Sequence, residues 1–468
     1  MKTPWLLDAS SLADAIRRGE IRAADALEAS LEAIAASKLN AIAYLDADGA
    51  RRRAEEIDRE VRAGRDPGPF AGVPMLVKDL EDVAGMPTTD GSVVFKDRIA
   101  ERDCTHVARL RAAGAIIVGK STVPEFGLVA YTRTKLFGTT RNPWNLERTP
   151  AGSSGGSAAA VAGGLVPIAT ATDGGGSTRI PAAYCGLVGL KGTFGRIPRG
   201  PRAAYGQLTT VKGCVARSVR DAARWLDVTC GYDARDPFSL PRVEGWEENL
   251  GKRSLRGLRV AVAPDLGNAV VHPEVERIVR EAADVLIDAA GLERADIEVR
   301  LPENGIAWAR AGLPALVAEL KGHWPDCKED LTPEIRLAME FAPSYRAWHA
   351  AEVEAFRVEM NEAMADLFER VDLVLCATSP MEPFRAEGPM PDHVGEVKVS
   401  PYNAGALTIP GSISGYPAIS IPAGLSSSGL PIGLQAYARR HEDALLLDLA
   451  LVMERVRPWP LVAPGAPV

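Results

Sequence analysis

Two short segments dense in glycine and serine, Ala151-Gly152-Ser153-Ser154-Gly155-Gly156-Ser157 and Asp173-Gly174-Gly175-Gly176-Ser177-Thr178-Arg179, lie in a stretch, residues 120–190, rich in Gly, Ser and Thr. A flexible tether of that composition would lack apolar runs. Here Ala158 to Val161 and Leu165 to Ala169 stand between the two segments, so the glycine turns belong to a core and not to a linker.

The sequence around them alternates strand and helix. Gly72-Val73-Pro74-Met75-Leu76-Val77-Lys78 is a short apolar run ending in a cation. His106 to Ala113 has helical character and is closed by Gly114, and Ala115 to Val118 follows as a buried-strand run. Alternation of this kind to about residue 230 predicts an α/β fold with a mixed, mostly parallel central sheet covered by helices. Residues 1–65 read as outer helices, with Ser10 or Ser11 as a cap and an apolar stripe from Ala24 to Ile34. The chain turns polar at 241–256, and 273–370 is helical in pattern, carrying Trp308, Trp324, Tyr345, Trp348 and Phe356. Strand character returns at Val371 to Cys376 and at Pro417 to Ile421, and a last helix spans about Glu442 to Val456. The expectation is one domain over 1–468. Within it, 1–65 forms N-terminal helices, 70–230 the core, and 241–370 a mostly helical excursion.

Totals exclude several functions. Hydrophobic residues make up 46% and charged residues 25% of 468, enough for a large core. The net charge of −7, from 54 basic and 61 acidic residues, gives no reason to expect nucleic acid or an anionic membrane as partner. Six cysteines, Cys104, Cys185, Cys214, Cys230, Cys327 and Cys376, are far apart with no C-x-x-C pair. A disulfide framework or zinc site is not expected, and a reducing cytoplasm is. Neither a signal-like apolar region after Lys2 nor a run of about 18 apolar residues is present, so a soluble, cytoplasmic protein is expected.

Three glycines before Ser177 leave peptide N–H groups unobstructed by Cβ atoms. A helix starting near Ile180 would add partial positive charge. Main chain of this kind can stabilise an oxyanion, although a glycine turn with no ligand has the same sequence. A phosphate cradle does not fit, because neither segment reads G-x-x-x-x-G-K-[ST]. A serine nucleophile needs a base. The six histidines (His106, His272, His323, His349, His393 and His441) all stand in contexts that read as surface helix or loop. Lys78 is the remaining candidate. Burial at a strand end disfavours its charged form, and lowering a lysine from about 10.4 to near 7 takes about 4 kcal/mol. A salt bridge from Lys78 to the adjacent Asp79 is the competing reading.

Together these pieces resemble the amidase signature family of serine hydrolases. The resemblance rests on Lys78 after its apolar run, G-S-S-G-G-S at 152–157, D-x-G-G-S-x-R at 173–179, and Ser177 placed 24 residues after Ser153. Pro124-Glu125-Phe126-Gly127, G-T-T-R-N-P-W from Gly138 to Trp144, C-G-L-V-G-L-K from Cys185 to Lys191, and Gly429 to Gln435 extend it over nearly the whole chain. It implies Ser177 as nucleophile, Ser153 as bridging serine in a cis peptide, and Lys78 as base. It also implies oxyanion donors from Gly174, Gly175, Gly176 and Ser177, and Gly127 together with Ser153 beside the substrate. No metal or organic cofactor is implied. Gly174 and Ala151 depart from common family residues, which bears on pocket shape.

Members act on fatty and aryl amides, ureas, carbamates, peptide amides and, within a complex, glutamine. The chain is similar to aryl acylamidase and urethanase members, implying a small-molecule amide or carbamate substrate. Two other readings stand beside this one. In one, the chain is a glutaminase-type subunit of an amidotransferase complex. In the other, Gly152-x-Ser154-x-Gly156 is the nucleophile elbow of an α/β-hydrolase esterase using Ser154.

Overall fold

A computed structural model gives the structure of the chain and describes residues 4–201, 203, 208–303 and 305–467. Lys2 and its neighbours at 1–3 lie outside the described residues, as do five positions in the 70–230 core, 202 and 204–207. Among the described residues one sheet of eleven strands runs through the molecule. Its strands are β1 (Ile42–Leu45), β2 (Pro74–Lys78), β3 (Ile116–Ser121), β4 (Ile168–Asp173), β5 (Val188–Lys191), β6 (Val211–Ala216), β7 (Arg259–Val262), β8 (Glu293–Arg294), β9 (Leu373–Ala377), β10 (Ala418–Leu425) and β11 (Pro431–Ala438). They lie in the order β1-β3-β2-β4-β6-β5-β10-β11-β9-β7-β8.

The mixed sheet clothed in helices is as expected, but its parallel pairing falls in two blocks. One joins β3, β2 and β4; the other joins β9, β7 and β8. Between the blocks every pair is antiparallel, so parallel pairing does not dominate the centre. The cause is local. β10 and β11 are joined by a short hairpin turn, Ser426–Leu430, and a hairpin can only pair antiparallel.

Helices α1 (Ala9–Arg17), α2 (Ala23–Ala36) and α3 (Ala47–Arg62) cover one face with α5 (Gly155–Ala162). Leu12, Ile16, Leu27 and Ile57 pack there against Leu76, Ile116, Val118 and Ala169. Met75 and Val77, on either side of Leu76, face the other layer, as the two-residue strand period requires. That layer holds α4 (Thr105–Ala112), α7 (Val219–Thr229), α8 (Pro273–Ala290) and α13 (Asp443–Val456), while α6 (Arg179–Cys185) packs against β5, β10 and β11. The first helix is capped by Asp8, which accepts from Ser11 N–H at 2.7 Å, and not by Ser10 or Ser11. A carboxylate one position upstream has the reach that a hydroxyl inside the first turn lacks.

The 241–370 stretch divides. β7, β8 and α8 belong to the sheet and its large core. The remainder is α9 (Gly305–Leu320), α10 (Pro333–Phe341) and α11 (Ala347–Arg370). Leu313, Leu316, Leu320, Leu331, Ile335 and Met339 form a smaller core there, against which Phe126, Leu128 and Trp324 pack. α12 (Ile409–Ser414) lies against α11.

Candidate active site

Lys78 is the last residue of β2, a strand buried along its whole length and paired on both sides. Its main-chain N–H donates to Thr170 Oγ1 at 2.8 Å. Its amine, fully buried, lies 2.8 Å from each of three hydroxyl oxygens, Ser153 Oγ, Ser154 Oγ and Thr172 Oγ1, and 3.5 Å from Thr172 O. Among the described residues no carboxylate touches it. Burial lowers the Lys78 pKa from 10.5 to about 7; the more distant charges of Glu81 and Lys212 act in opposite senses. Asp79 is engaged elsewhere. Its carboxylate accepts from Thr89 and Gly91 and pairs with Lys120 at 3.4 Å, which answers the salt-bridge reading of Lys78.

Burial also takes Lys191 down to about 7. Its amine meets only main-chain carbonyls among the described residues, Tyr416 O at 2.7 Å and Gly192 O at 3.3 Å. A neutral amine among carbonyls has no proton to take. Lys78, among hydroxyls, does.

The two glycine–serine segments meet here. Ser154 N–H donates to Ser177 O at 3.2 Å, tying the segment before α5 to the one before α6. The Gly152–Ser153 peptide is cis. Ser154 is fully buried, Ser153 is 3% exposed and Ser177 is partly exposed, so the hydroxyls grade from the buried amine toward solvent. Among the described residues no hydrogen bond joins the side chains of Ser153 and Ser177. The burial of Ser154, with its hydroxyl on the Lys78 amine, removes it as a nucleophile elbow open to substrate. Gly127, at φ 67°, lies against Ser153. A Cβ there would stand 3.1 Å from Ser153 Oγ and 2.9 Å from Leu80 Cδ1, so the position admits only glycine without a shift.

The loop 173–179 is held by a buried ion pair. Arg179 donates to both oxygens of Asp173 at 2.9 Å, and also to Gln435 Oε1, Thr408 O and Ser412 Oγ. The Arg179 guanidinium holds the Asp173 carboxyl well below the usual carboxylate range against the opposing effect of burial. Asp173 Oδ1 accepts from Gly176 N–H at 2.8 Å. Of the four expected oxyanion donors, Gly176 is therefore engaged, and the N–H groups of Gly174, Gly175 and Ser177 have no acceptor among the described residues. Gly174 O accepts from Trp308 Nε1 at 2.8 Å and Gly175 O from Thr408 Oγ1 at 2.7 Å.

Sequence reasoning gives five of these residues no role of their own in the site: Asp173 and Arg179 enter only as ends of a motif, Trp308 only among the aromatics of the helical excursion, and Thr172 and Thr408 not at all. Asp173 and Arg179 were legible as opposite charges bracketing a glycine turn. Thr172, Trp308 and Thr408 carried no such signal. Among the aromatics of the excursion, Trp308 reaches the loop, Phe356 is core, and Trp348 is 61% exposed. One histidine departs from its expected surface position. His106 is fully buried, with Nδ1 2.9 Å from Glu81 Oε1 beside Trp225, because the face of α4 that carries it packs on α7. It does not touch the serines, and neither does any other histidine among the described residues. No helix among them is long and apolar enough to cross a membrane, and no three His, Cys, Asp or Glu side chains are gathered in a metal-holding group.

Comparison with known proteins gives the family. The Amidase family model matches residues 25–447. An acylamidase of Rhodococcus erythropolis is 34% identical over 460 residues, covering 97% of this chain and 96% of the relative. A glutamyl-tRNA(Gln) amidotransferase subunit of Roseiflexus sp. (strain RS-1) is 35% identical over 491 residues, covering 99% of each. Among solved structures, a bacterial aryl acylamidase of the amidase signature family superposes with a TM-score of 0.92 at 28% identity, covering 97% of both chains. With a family model spanning most of its length and relatives of this identity end to end, the chain belongs to the amidase signature family, enzymes that act on the C–N bonds of amides.

Proposed function

We propose that this chain hydrolyses hydrophobic and aryl amides, and aryl carbamates as urethane substrates, through an acyl-enzyme on Ser177. The observation that carries the reading is the Lys78 amine, closed off from solvent, in contact with three hydroxyls and, among the described residues, no carboxylate. A base with a pKa of about 7 is neutral for half or more of the molecules at neutral pH and is matched to proton transfer there.

Neutral Lys78 takes the proton of Ser153 as Ser153 takes that of Ser177. The Ser177 oxygen bonds to the carbonyl carbon, and the carbonyl electron pair moves to oxygen, where free N–H groups of the glycine loop stabilise it. Collapse breaks the C–N bond. The proton returns through Ser153 to the leaving nitrogen, and water then cleaves the ester by the same route. Contact between Ser153 and Ser177 forms when Ser177 turns toward Ser153 in the substrate complex, where catalytic hydrogen bonds tighten. Gly127, against Ser153, leaves room for the scissile group, and α9–α11 border the cleft. A carbamate would expel its amine and leave a carbonate monoester that loses CO₂.

Purified chain is assayed with aryl amides, alkyl amides, esters and aryl carbamates. Turnover of an aryl anilide is expected, abolished in Ser177→Ala and Lys78→Ala with far-ultraviolet circular dichroism unchanged. Undiminished turnover in Ser177→Ala overturns the reading. The end-to-end similarity to an amidotransferase component supports a second one, a glutaminase-type subunit that works with a partner. Inactivity of the single chain on the whole panel, with glutamine hydrolysis on adding such a partner, would establish it.

A further inference from the structure

We infer that Trp308 is a positioning residue for the oxyanion site: by holding the Gly174 carbonyl, its indole N–H aims the N–H of Gly175 at the reacting oxygen. The inference rests on the Ser177 acyl-enzyme reading. A peptide unit is planar, with its C=O and the following N–H pointing in opposite directions. Fixing Gly174 O therefore fixes Gly175 N–H. The need for a clamp comes from the glycines themselves, which reorient their peptide planes at little cost.

The two peptide planes within the Gly174-Gly175-Gly176 run are held differently. The Gly175–Gly176 plane is gripped at both ends, its carbonyl by Thr408 Oγ1 at 2.7 Å and its N–H by Asp173 Oδ1 at 2.8 Å. The Gly174–Gly175 plane is gripped at one end only, by Trp308 Nε1 at 2.8 Å, and its N–H has no acceptor among the described residues. Of these two it is the plane with a donor to offer; the next plane, Gly176–Ser177, has its carbonyl held by Ile180 N–H at 2.8 Å and offers the Ser177 N–H. The indole also lies directly on the loop: a Cβ on Gly175 would sit 2.5 Å from Trp308 Cζ2 and 3.0 Å from Nε1. Trp308 comes from α9, 134 residues along the chain, in the small helical layer whose core also packs against Phe126, the neighbour of Gly127. One side chain thus connects that layer to the oxyanion loop.

The test is Trp308→Phe, which keeps an aromatic ring and deletes the donor. Removing an oxyanion donor outright costs about 100- to 1000-fold in kcat. Loosening one without deleting it is expected to lower kcat about 10- to 100-fold, with KM for an aryl anilide within about twofold. Affinity for a trifluoromethyl ketone, which forms an anionic adduct on the nucleophile, should fall by the same factor as kcat, while affinity for a neutral, unreactive amide analogue stays unchanged. Unchanged kcat, or a loss confined to KM, would reduce Trp308 to a wall of the cleft and overturn the inference. If Trp308→Phe does not fold, benzothienylalanine at 308, which preserves ring shape without the N–H, is read by the same criteria. Ser177→Ala in parallel separates the two claims: activity surviving there defeats the acyl-enzyme reading itself, whatever Trp308 does.

Discussion

Replacing Thr172 with valine removes one of the three hydroxyl partners of the Lys78 amine while nearly preserving side-chain shape in a buried position of β4. The account assigns the Thr172 oxygen as an acceptor, leaving Ser153 to donate to the amine lone pair. A hydrogen bond to a charged group contributes about 1.5–3 kcal/mol and a neutral one about 0.5–1.5, so losing this acceptor penalises the ammonium over the amine by about 1–1.5 kcal/mol. At about 1.4 kcal/mol per unit, the Lys78 pKa should fall by about one unit from its starting value of about 7. Because the neutral amine is the active form, the acid limb of kcat/KM should move to lower pH by the same amount. The plateau above it should drop, since the base is weaker. The assay is the pH profile of anilide hydrolysis for wild type and Thr172→Val, with folding checked by thermal melting. A limb that stays in place, or moves to higher pH, would mean that Thr172 donates to the amine, and the direction of the relay would be wrong.

Other expectations follow from the same geometry. Gly127→Ala places a methyl 3.1 Å from Ser153 Oγ at a positive φ; activity should fall at least about tenfold (~1.4 kcal/mol on the barrier), and wild-type kcat/KM would contradict the packing. Asp173→Asn leaves the fully buried Arg179 charge without its partner, and urea unfolding should show a loss of about 3–5 kcal/mol; a loss below about 1 kcal/mol would not fit. Lys78→Met tests linkage. With its folded pKa depressed to about 7, native Lys78 binds fewer protons than the unfolded chain between about pH 7 and 10.4. Wild-type stability should therefore rise relative to the variant across that window, by about 4–5 kcal/mol in total, with no further divergence below it. Parallel stability curves would exclude a buried, depressed amine.

Much of this site was readable before any coordinates. Lys78 declared itself by ending an apolar strand run, and the glycine–serine segments by sitting inside apolar sequence; local composition carried both. The sheet was half legible. Helix-length spacers between β2, β3 and β4 signalled parallel pairing, but β5 and β6 pair with no helix between them among the described residues, and nothing local encodes that. Thr172 and Thr408 are ordinary polar residues until the fold brings them to Lys78 and Gly175. Trp308 looked like any aromatic on a helical stretch. His106 misled because its burial is set by α7, more than a hundred residues later, and not by its neighbours in sequence.

The central claim, that the amine of Lys78 is uncharged when the enzyme works, can be read directly by nuclear magnetic resonance of the protein carrying ¹³Cε-labelled lysine. Lys191→Met removes the other lysine that burial lowers to about 7, and Lys78→Met assigns the remaining signal. The account predicts one Cε resonance titrating near pH 7 that disappears in Lys78→Met. A Lys78 resonance that keeps the ammonium shift up to pH 10 would contradict it.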